Sequence, residues 1–386
     1  MKICFFAAAN SLHSYRWIRF FVNKGHDVYW LSLYRISLNE YSINDNLAKN
    51  LCYYEMNPPF TIPLTPSSTP RITQIFRIFP AVIWLRRLLK EINPDLLHAH
   101  SVGIYGLVAA ISGFHPIIAT AWGSDVLMGG KSKLKRPLVK YILNRADLIT
   151  CDAYHMIDAM AKVGADRSKM CIIYFGIDTN KFQPAGKDEA LMKQLGIAGF
   201  PTVISMRNFL PVYDIGSLIR AIPLVLKDVP DAKFIIVGSG PEEEHIKRLA
   251  IFLDVSGSIR FTGKIRNADL PKYLTSVDIY TSTSLSDAGI AASTAEAMAC
   301  GLPVVITDSG ENGEWIKDGE GGFIIPGKSP EALAEKIVRL LMDNGFRKAA
   351  GEANRKTILE KNDYYKEMAK MENIYGEITR KNRLPL

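Results

Sequence analysis

The chain has 386 residues, 48% of them hydrophobic, and a formal net charge of +8; the length predicts two domains, and the composition excludes a disordered protein. No apolar run approaches the roughly 18 to 20 residues that span a bilayer, and the opening MKICFFAAANSLHSYRW lacks the length and cleavage pattern of a signal peptide, so a cytoplasmic protein is expected. Cys4, Cys52, Cys151, Cys171 and Cys300 are odd in number, scattered and mostly set in apolar runs, which fits reduced packing residues and neither a disulfide framework nor a zinc site.

Along the chain, KICFFAA, DVYWLSL, DLLHAH, PIIATAW, DLITCD and MCIIYFG are short apolar runs separated by stretches of helical periodicity. This βαβ alternation predicts a parallel sheet and one Rossmann-like half. The turn-rich FGIDTNKFQPAG then places a domain boundary near Thr179. After Phe182 the pattern repeats: TVISMRN, AKFIIVGSG, SIRFTGKI, VDIYTSTS, PVVITDSG and GFIIPG read as strands, with SLIRAIPLVLKDV, PEEEHIKRLA and PEALAEKIVRLLM as helices between them. Near the end, Tyr364, Met368, Met371, Tyr375 and Ile378 form a helical stripe. No short internal repeat is visible.

The charge is uneven. Residues 1–180 hold 20 Lys and Arg against 12 Asp and Glu, whereas residues 181–386 hold 27 of each. Arg71 to Lys90 contains five basic residues and no acid, and Lys131 to Arg145 contains six and none. Both segments carry apolar stretches, so RITQIFRIFPAVIWLRRLLK and KSKLKRPLVKYILNR are expected to dock on an anionic membrane surface. Each basic residue there is worth about 1 kcal/mol at most, enough for reversible attachment. Ordinary solvated helix faces are the alternative, and nucleic acid is not expected, because no aromatic and basic interleaving on strands occurs.

In parallel sheets ligands bind beyond the C-terminal strand ends, so the polar residues just after each strand are the candidates. Asn10 and His13 follow the first strand. His98 and His100 alternate on one face of DLLHAH; zinc would need a third ligand, none is close in sequence, and no metal is expected. His100, nearer the strand end, is the site candidate, with His98 in the core. Trp122 and Asp125 follow PIIATAW, where Asp125 serves an acceptor or caps the next helix. Arg207 follows TVISM, and Lys264 and Arg266 follow SIRFTG. VGSGP, Gly238 to Pro241, is a tight strand-to-helix turn; Glu243 occupies the third glycine position of a dinucleotide fingerprint, so that reading fails.

The densest stretch is SLSDAGIAASTAEAMACGLPVV, Ser284 to Val305. Ser293 and Glu296 have capping-box spacing, which predicts a helix starting at Ser293. Gly301 suits the left-handed position after the helix, and Pro303 stops it before a buried strand. A helix opening from the small-residue loop 287–292 presents backbone N–H groups and a positive dipole end, and phosphate is the anion that fits. Spacing leaves Glu296 open between a capping carboxylate and a ligand contact.

TAEAMACGLPVV resembles the C-terminal signature of the retaining family 4 glycosyltransferases, which reads E, seven residues, then EAMACGLPVI. The resemblance implies an α/β, GT-B fold: two Rossmann-like domains facing a central cleft, residues 1–178 for the acceptor, completed by a helix over about 364–386, and residues 179–363 for the nucleotide sugar. By position Glu296 holds the ribose hydroxyls. The first glutamate is absent; Ala288 stands eight residues before Glu296, and the neighbouring Asp287 is expected to take the sugar-facing role. Where the family has an arginine and a lysine on the donor's diphosphate, this chain has Arg207 and Tyr213, with a hydroxyl donor in place of a charge and Lys264 or Arg266 to compensate. Gly238, Gly240, Gly289 and Ile290 complete the implied donor site. Many members carry a glycine-rich loop where Asn10 and His13 stand. ATAWGSDVL is similar to the family's THGSD, with Trp122 replacing a histidine; an indole stacks on a sugar face but performs no proton transfer. Asn10, His13, Trp122 and Asp125 are thus expected on the acceptor side.

The implied reaction is retaining, metal-independent transfer of a sugar from a nucleotide-diphosphate donor to a lipid-linked or cell-envelope glycan acceptor, by a protein peripheral on the inner face of the membrane. Arg207 and the Ser293 helix would stabilise the leaving diphosphate, with Asp287 and His100 as the other candidates for the chemistry. Two other classes fit the same residues: a GT-B nucleotide-sugar isomerase or hydrolase, and a non-catalytic sugar-binding module.

Overall fold

Apolar runs of four or five residues become strands because both sheet faces are covered, so every side chain along them has apolar surface to lose. The computed structural model describes residues 1–33, 51–56, 71–132, 135–287 and 289–383. Its contacts divide the chain into two units, Met1–Phe175 with Lys366–Leu386, and Gly176–Tyr365. The break at Phe175 lies three residues before the expected one, at Gly176, whose φ of +71° brings its backbone against Tyr364 and whose N–H donates to Asn362 Oδ1 at 3.0 Å.

In the first unit, β1 (Lys2–Phe6), β2 (Asp27–Ser32), β3 (Leu51–Glu55), β4 (Leu96–Ala99), β5 (Ile117–Thr120), β6 (Leu148–Cys151) and β7 (Met170–Ile172) form one sheet in the order β3-β2-β1-β4-β5-β6-β7, with parallel pairing throughout. Cys4, Phe6, Leu97 and Ala99 pack on one face against Leu85, Leu88 and Val108 from two helices; fully burying such an aliphatic or aromatic side chain stabilises by about 1.5–3 kcal/mol. On the other face, Met368, Met371 and Tyr375 of the Tyr364–Arg383 helix are fully buried. The expected stripe ends differently, on buried Thr379, with Ile378 only half-buried. Strand β3 has no counterpart among the expected strands, although Leu51 to Tyr54 is an unbroken apolar run; it lies at the sheet edge with partly exposed residues, including the exposed Cys52.

In the second unit, β8 (Thr202–Met206), β9 (Lys233–Val237), β10 (Ile259–Gly263), β11 (Ile279–Ser282), β12 (Val304–Thr307) and β13 (Gly322–Ile325) pair in the order β10-β9-β8-β11-β12-β13, also parallel. Helices Ile215–Asp228 and Pro330–Met342 cover one face of this sheet. The Ala292–Ala299 helix ends as expected: Gly301 takes φ +79°, and Leu302 N–H donates to Ala297 O at 3.1 Å. Both sheets thus have the doubly wound strand order whose direction reverses beside the first strand, between β1 and β4 and between β8 and β11. Among the described residues no helix is long and apolar enough to cross a membrane.

Candidate functional site

The reversal point of the second unit collects the candidates that follow β8 and β11. Arg207 leaves β8 only 9% exposed, and its Nη2 donates to Asp287 Oδ1 at 2.5 Å and to Ser284 Oγ at 3.3 Å. Its guanidinium carbon stands 4.1 Å from the centre of the Tyr213 ring. A buried guanidinium is tolerated only when paired, and Asp287, 80 residues away in sequence, is that pair. Arg207 Nε is buried without a partner. The two loops are tied together: Thr283 Oγ1 donates to Tyr213 O at 2.9 Å, Leu285 N–H to Val212 O at 2.8 Å, and Thr307 Oγ1 to Ser284 O. The sequence places Asp287 toward a sugar and gives Tyr213 a phosphate-facing hydroxyl; the structure puts the carboxylate and the ring on Arg207.

Gly238 and Gly240 act on the same loop. A Cβ on Gly238 would stand 2.2 Å from Arg207 O, and one on Gly240 2.5 Å from Phe209 O. Their bare backbones let Phe209 N–H donate to Ser239 O at 3.0 Å and Glu242 N–H to Phe209 O at 3.1 Å. The VGSGP turn is therefore a buttress for the Arg207 loop.

The capping box does not form. The helix begins at Ala292, with Ala291 at the N-cap position and no side-chain cap. Ser293 Oγ instead shares a 2.8 Å hydrogen bond with the hydroxyl of Tyr280, a fully buried β11 residue. Burial pushes the Tyr280 phenol upward, with Arg207 opposing and Asp287 adding to the shift, which puts Tyr280 within electrostatic reach of the ion pair. Gly289 and Ile290 are buried just before this helix, and Glu296 is buried in its second turn. Arg355, which no motif singles out, donates to Ala299 O at 2.7 Å and so satisfies the helix's other end. Lys264 lies elsewhere: exposed after the edge strand β10, it lines a groove with Asp188, Gln194, Lys272 and Tyr273, two strands and about 10 Å of sheet from β8. Arg266 is paired with Asp269 at 2.8 Å.

The reversal point of the first unit is aromatic. His100, after β4, is 4% exposed; its Nδ1 shares a 3.2 Å hydrogen bond with Ser14 Oγ, and its Nε2 is buried without a partner. Burial, with a contribution from His13, pulls its pKa down to about 3, so the ring is neutral near pH 7. Trp122 donates its Nε1 proton to His100 O at 2.8 Å and stacks on His13, with ring centres 5.1 Å apart. Trp17 stands edge-on to His100 at 5.1 Å. His98 is a core residue, bonded through Nε2 to Thr120 Oγ1 at 2.6 Å and through Nδ1 to the Tyr375 hydroxyl. Asp125 is not the helix cap, a position Gly123 holds; its carboxylate accepts from the N–H groups of Val102, Trp122 and Val126 at 2.9–3.1 Å, joining the loops after β4 and β5. Burial raises its pKa against those bonds. Asn10 is exposed, and His13, though stacked on Trp122, is exposed as well.

Two family models match the chain in tandem: "Glycosyl transferase 4-like" over residues 2–153 and "Glycosyl transferases group 1" over residues 187–357. The chain is a group 1 glycosyltransferase of the GT-B fold. This glycosyltransferase is 28% identical, over 72% of its length and 75% of the relative's, to the GDP-mannose-dependent alpha-(1-6)-phosphatidylinositol monomannoside mannosyltransferase of Mycolicibacterium smegmatis. It is 25% identical to the N-acetyl-alpha-D-glucosaminyl L-malate synthase of Bacillus anthracis, over 75% and 77% of the two chains. Among solved structures, Anabaena HepE in complex with UDP superposes with a TM-score of 0.80 over 98% of this chain and 100% of the other, at 19% identity.

The basic segments of the glycosyltransferase divide into spent and available charges. Arg86 donates to Ser112 O and Ile111 O, both at 2.8 Å, at the end of the Ile104–Ser112 helix, and Arg136 donates to Lys162 O at 2.7 Å. Both do structural work that the sequence assigns to a membrane. Phe79, 72% exposed, and Ile83, 53% exposed, share the outer stripe of the Arg71–Ile92 helix with Arg87 and Lys90. Lys133 lies outside the described residues.

Proposed function

We propose that this glycosyltransferase moves a sugar, with retention of anomeric configuration and without a metal ion, from a nucleotide-diphosphate sugar to a lipid-linked acceptor of the cell envelope. The observation that carries the donor half is the buried Arg207 beyond β8, with its unpartnered Nε. A buried donor left unmade costs about 1–3 kcal/mol, which an oxygen of a bound diphosphate would recover. The nearby Ala292–Ala299 helix, without a side-chain cap, adds N–H groups and a positive dipole end, and Glu296 is the residue for the ribose hydroxyls.

As the sugar–phosphate bond breaks, charge grows on the leaving diphosphate, and a guanidinium already fixed in place stabilises it without reorganising. The leaving oxygen takes the acceptor's proton on the same face of the sugar, so no side chain need act as base. His100 is neutral near pH 7 and offers a hydrogen bond at Nε2. Trp122 offers its ring face, and Asp125 acts by holding the loops around them. The lipid acceptor is supported by the Phe79, Ile83, Arg87 and Lys90 stripe and by the mycobacterial relative's phosphatidylinositol-linked substrate.

The test is a transfer assay with radiolabelled GDP-mannose, UDP-glucose and related donors, offered envelope lipid extract or soluble acceptors. Label is expected in the lipid phase with one donor, undiminished by EDTA. Free nucleotide without transfer indicates a hydrolase or isomerase, binding without turnover a sugar-binding module, label only in soluble product a small acceptor, and loss of activity in EDTA a metal requirement.

A further inference from the structure

The donor site reads as one arginine, yet that arginine's direction is not set by its own loop. Arg207 has three supports: Asp287 and Ser284 on Nη2, and the Tyr213 ring, over whose face the guanidinium carbon stands 4.1 Å from the centre. A carboxylate 2.5 Å from one nitrogen leaves the guanidinium able to swing about that contact. A ring face below it removes the swing, because only a guanidinium lying over the ring retains the attraction of the ring's negative face. Tyr213 is itself fixed: it closes the Pro211–Tyr213 turn, its O accepts from Thr283 Oγ1 at 2.9 Å, and its N–H donates to Leu210 O at 2.9 Å. With Nη2 committed, Nε remains a buried donor without a partner, and because its N–H lies in the guanidinium plane, that plane sets the direction in which it finds an acceptor.

We propose that Tyr213 is a positioning residue of the donor site, whose ring face aims Arg207 Nε at the terminal phosphate of a nucleoside diphosphate. The proposal rests on the donor reading above. It assigns the phenol ring, and not its hydroxyl, to the place where a second cation is expected. Ground-state selectivity follows: the ring acts on the diphosphate through Arg207 and leaves base, ribose and first phosphate untouched.

The experiment is titration calorimetry of the full chain with GDP, UDP, GMP and UMP, for wild type, Tyr213→Phe, Tyr213→Leu and Tyr213→Ala, with thermal midpoints as a folding control. Wild type is expected to prefer one diphosphate over its monophosphate, and Tyr213→Phe to keep that ratio within about twofold. Both variants without a ring should lose about tenfold in diphosphate affinity, about 1.4 kcal/mol, with monophosphate affinity unchanged. An unchanged ratio in folded Tyr213→Leu or Tyr213→Ala overturns the proposal. So does an equal loss in Tyr213→Phe, which would assign the contact to the hydroxyl. Wild type without any preference for diphosphate over monophosphate removes the donor reading and the proposal together.

Discussion

The two sheets reverse strand order at the same place, and the residues gathered there could hardly differ more. Beyond β1, β4 and β5 stand Trp17, His13, a neutral His100 and Trp122, with the Asp125 carboxylate committed to backbone N–H groups. Beyond β8 and β11 stands an ion pair set on the Tyr213 ring, with a buried N–H donor of Arg207 left without a partner. One topology thus offers two environments, a ring-lined one suited to a neutral polyol and a cationic one suited to phosphate. The fold supplies the location and the few residues after each strand decide the chemistry.

The contrast breaks hardest at Arg207. Arg207→Ala leaves the partly buried Asp287 without its partner and is expected to cost up to about 3 kcal/mol of stability, besides at least a 100-fold loss in kcat/KM; Trp122→Ala should leave nucleotide affinity unaltered. Comparable nucleotide losses in both variants would erase the division of labour. Asp287→Ala is expected to disturb nucleotide binding as well as transfer, since Arg207 depends on it. Gly238→Ala follows in size. Its Cβ pushes on the Arg207 carbonyl, and a side chain at φ +142° adds strain of about 1–3 kcal/mol, so a lower melting temperature and weakened diphosphate binding are expected together; a loss of stability alone would confine the glycine to folding.

The first unit should reveal itself through pH. His98 and His100 titrate near 6.5 when unfolded and lower when folded, His100 at about 3. The unfolded chain therefore binds more protons between those values. The share of His100 is complete well above pH 6.5 and declines by about 1.4 kcal/mol per pH unit as pH falls toward 3, and His98 acts in the same direction. Urea unfolding at pH 7.5, 6 and 5 should show this slope, reduced by one share in His100→Gln; an unreduced slope would mean that His100 is not the buried titrating group. The smallest effect is at the surface, where Arg87→Gln with Lys90→Gln should weaken co-sedimentation with anionic vesicles by about 1 kcal/mol or less per charge, and Arg86→Gln should act on stability instead. Binding indifferent to lipid charge removes the membrane surface from the proposal.

Strands were legible as continuous apolar runs such as Ile3 to Phe6, and the half-exposed edges β7 and β10 were legible too; β3 was not, because Leu51 to Tyr54 is a short apolar run that periodicity alone does not assign to a strand. Arg207 was legible from its place after a strand. Its partners were not, because neither Asp287 nor Tyr213 announces by spacing that loops 80 residues apart will meet. The capping box failed for a related reason: Ser293 found a tertiary partner in Tyr280, and the N-cap fell two residues earlier, at Ala291, without a side-chain cap. Arg86 and Arg136 look like free charge in sequence, and only the carbonyls they reach show otherwise.

The Tyr364–Arg383 helix imposes an order on biosynthesis. Tyr375, Met368 and Met371 leave the ribosome after residues 176–365 have been made, yet they close the face of the first sheet that holds Phe5 and His98. During translation that face waits, exposed, while the later-made residues 176–365 can already complete a core of their own. A fragment of residues 1–175 should therefore be sticky and dependent on chaperones. Residues 176–365 expressed alone should fold, and supplying residues 366–386 as a separate peptide should rescue the first fragment.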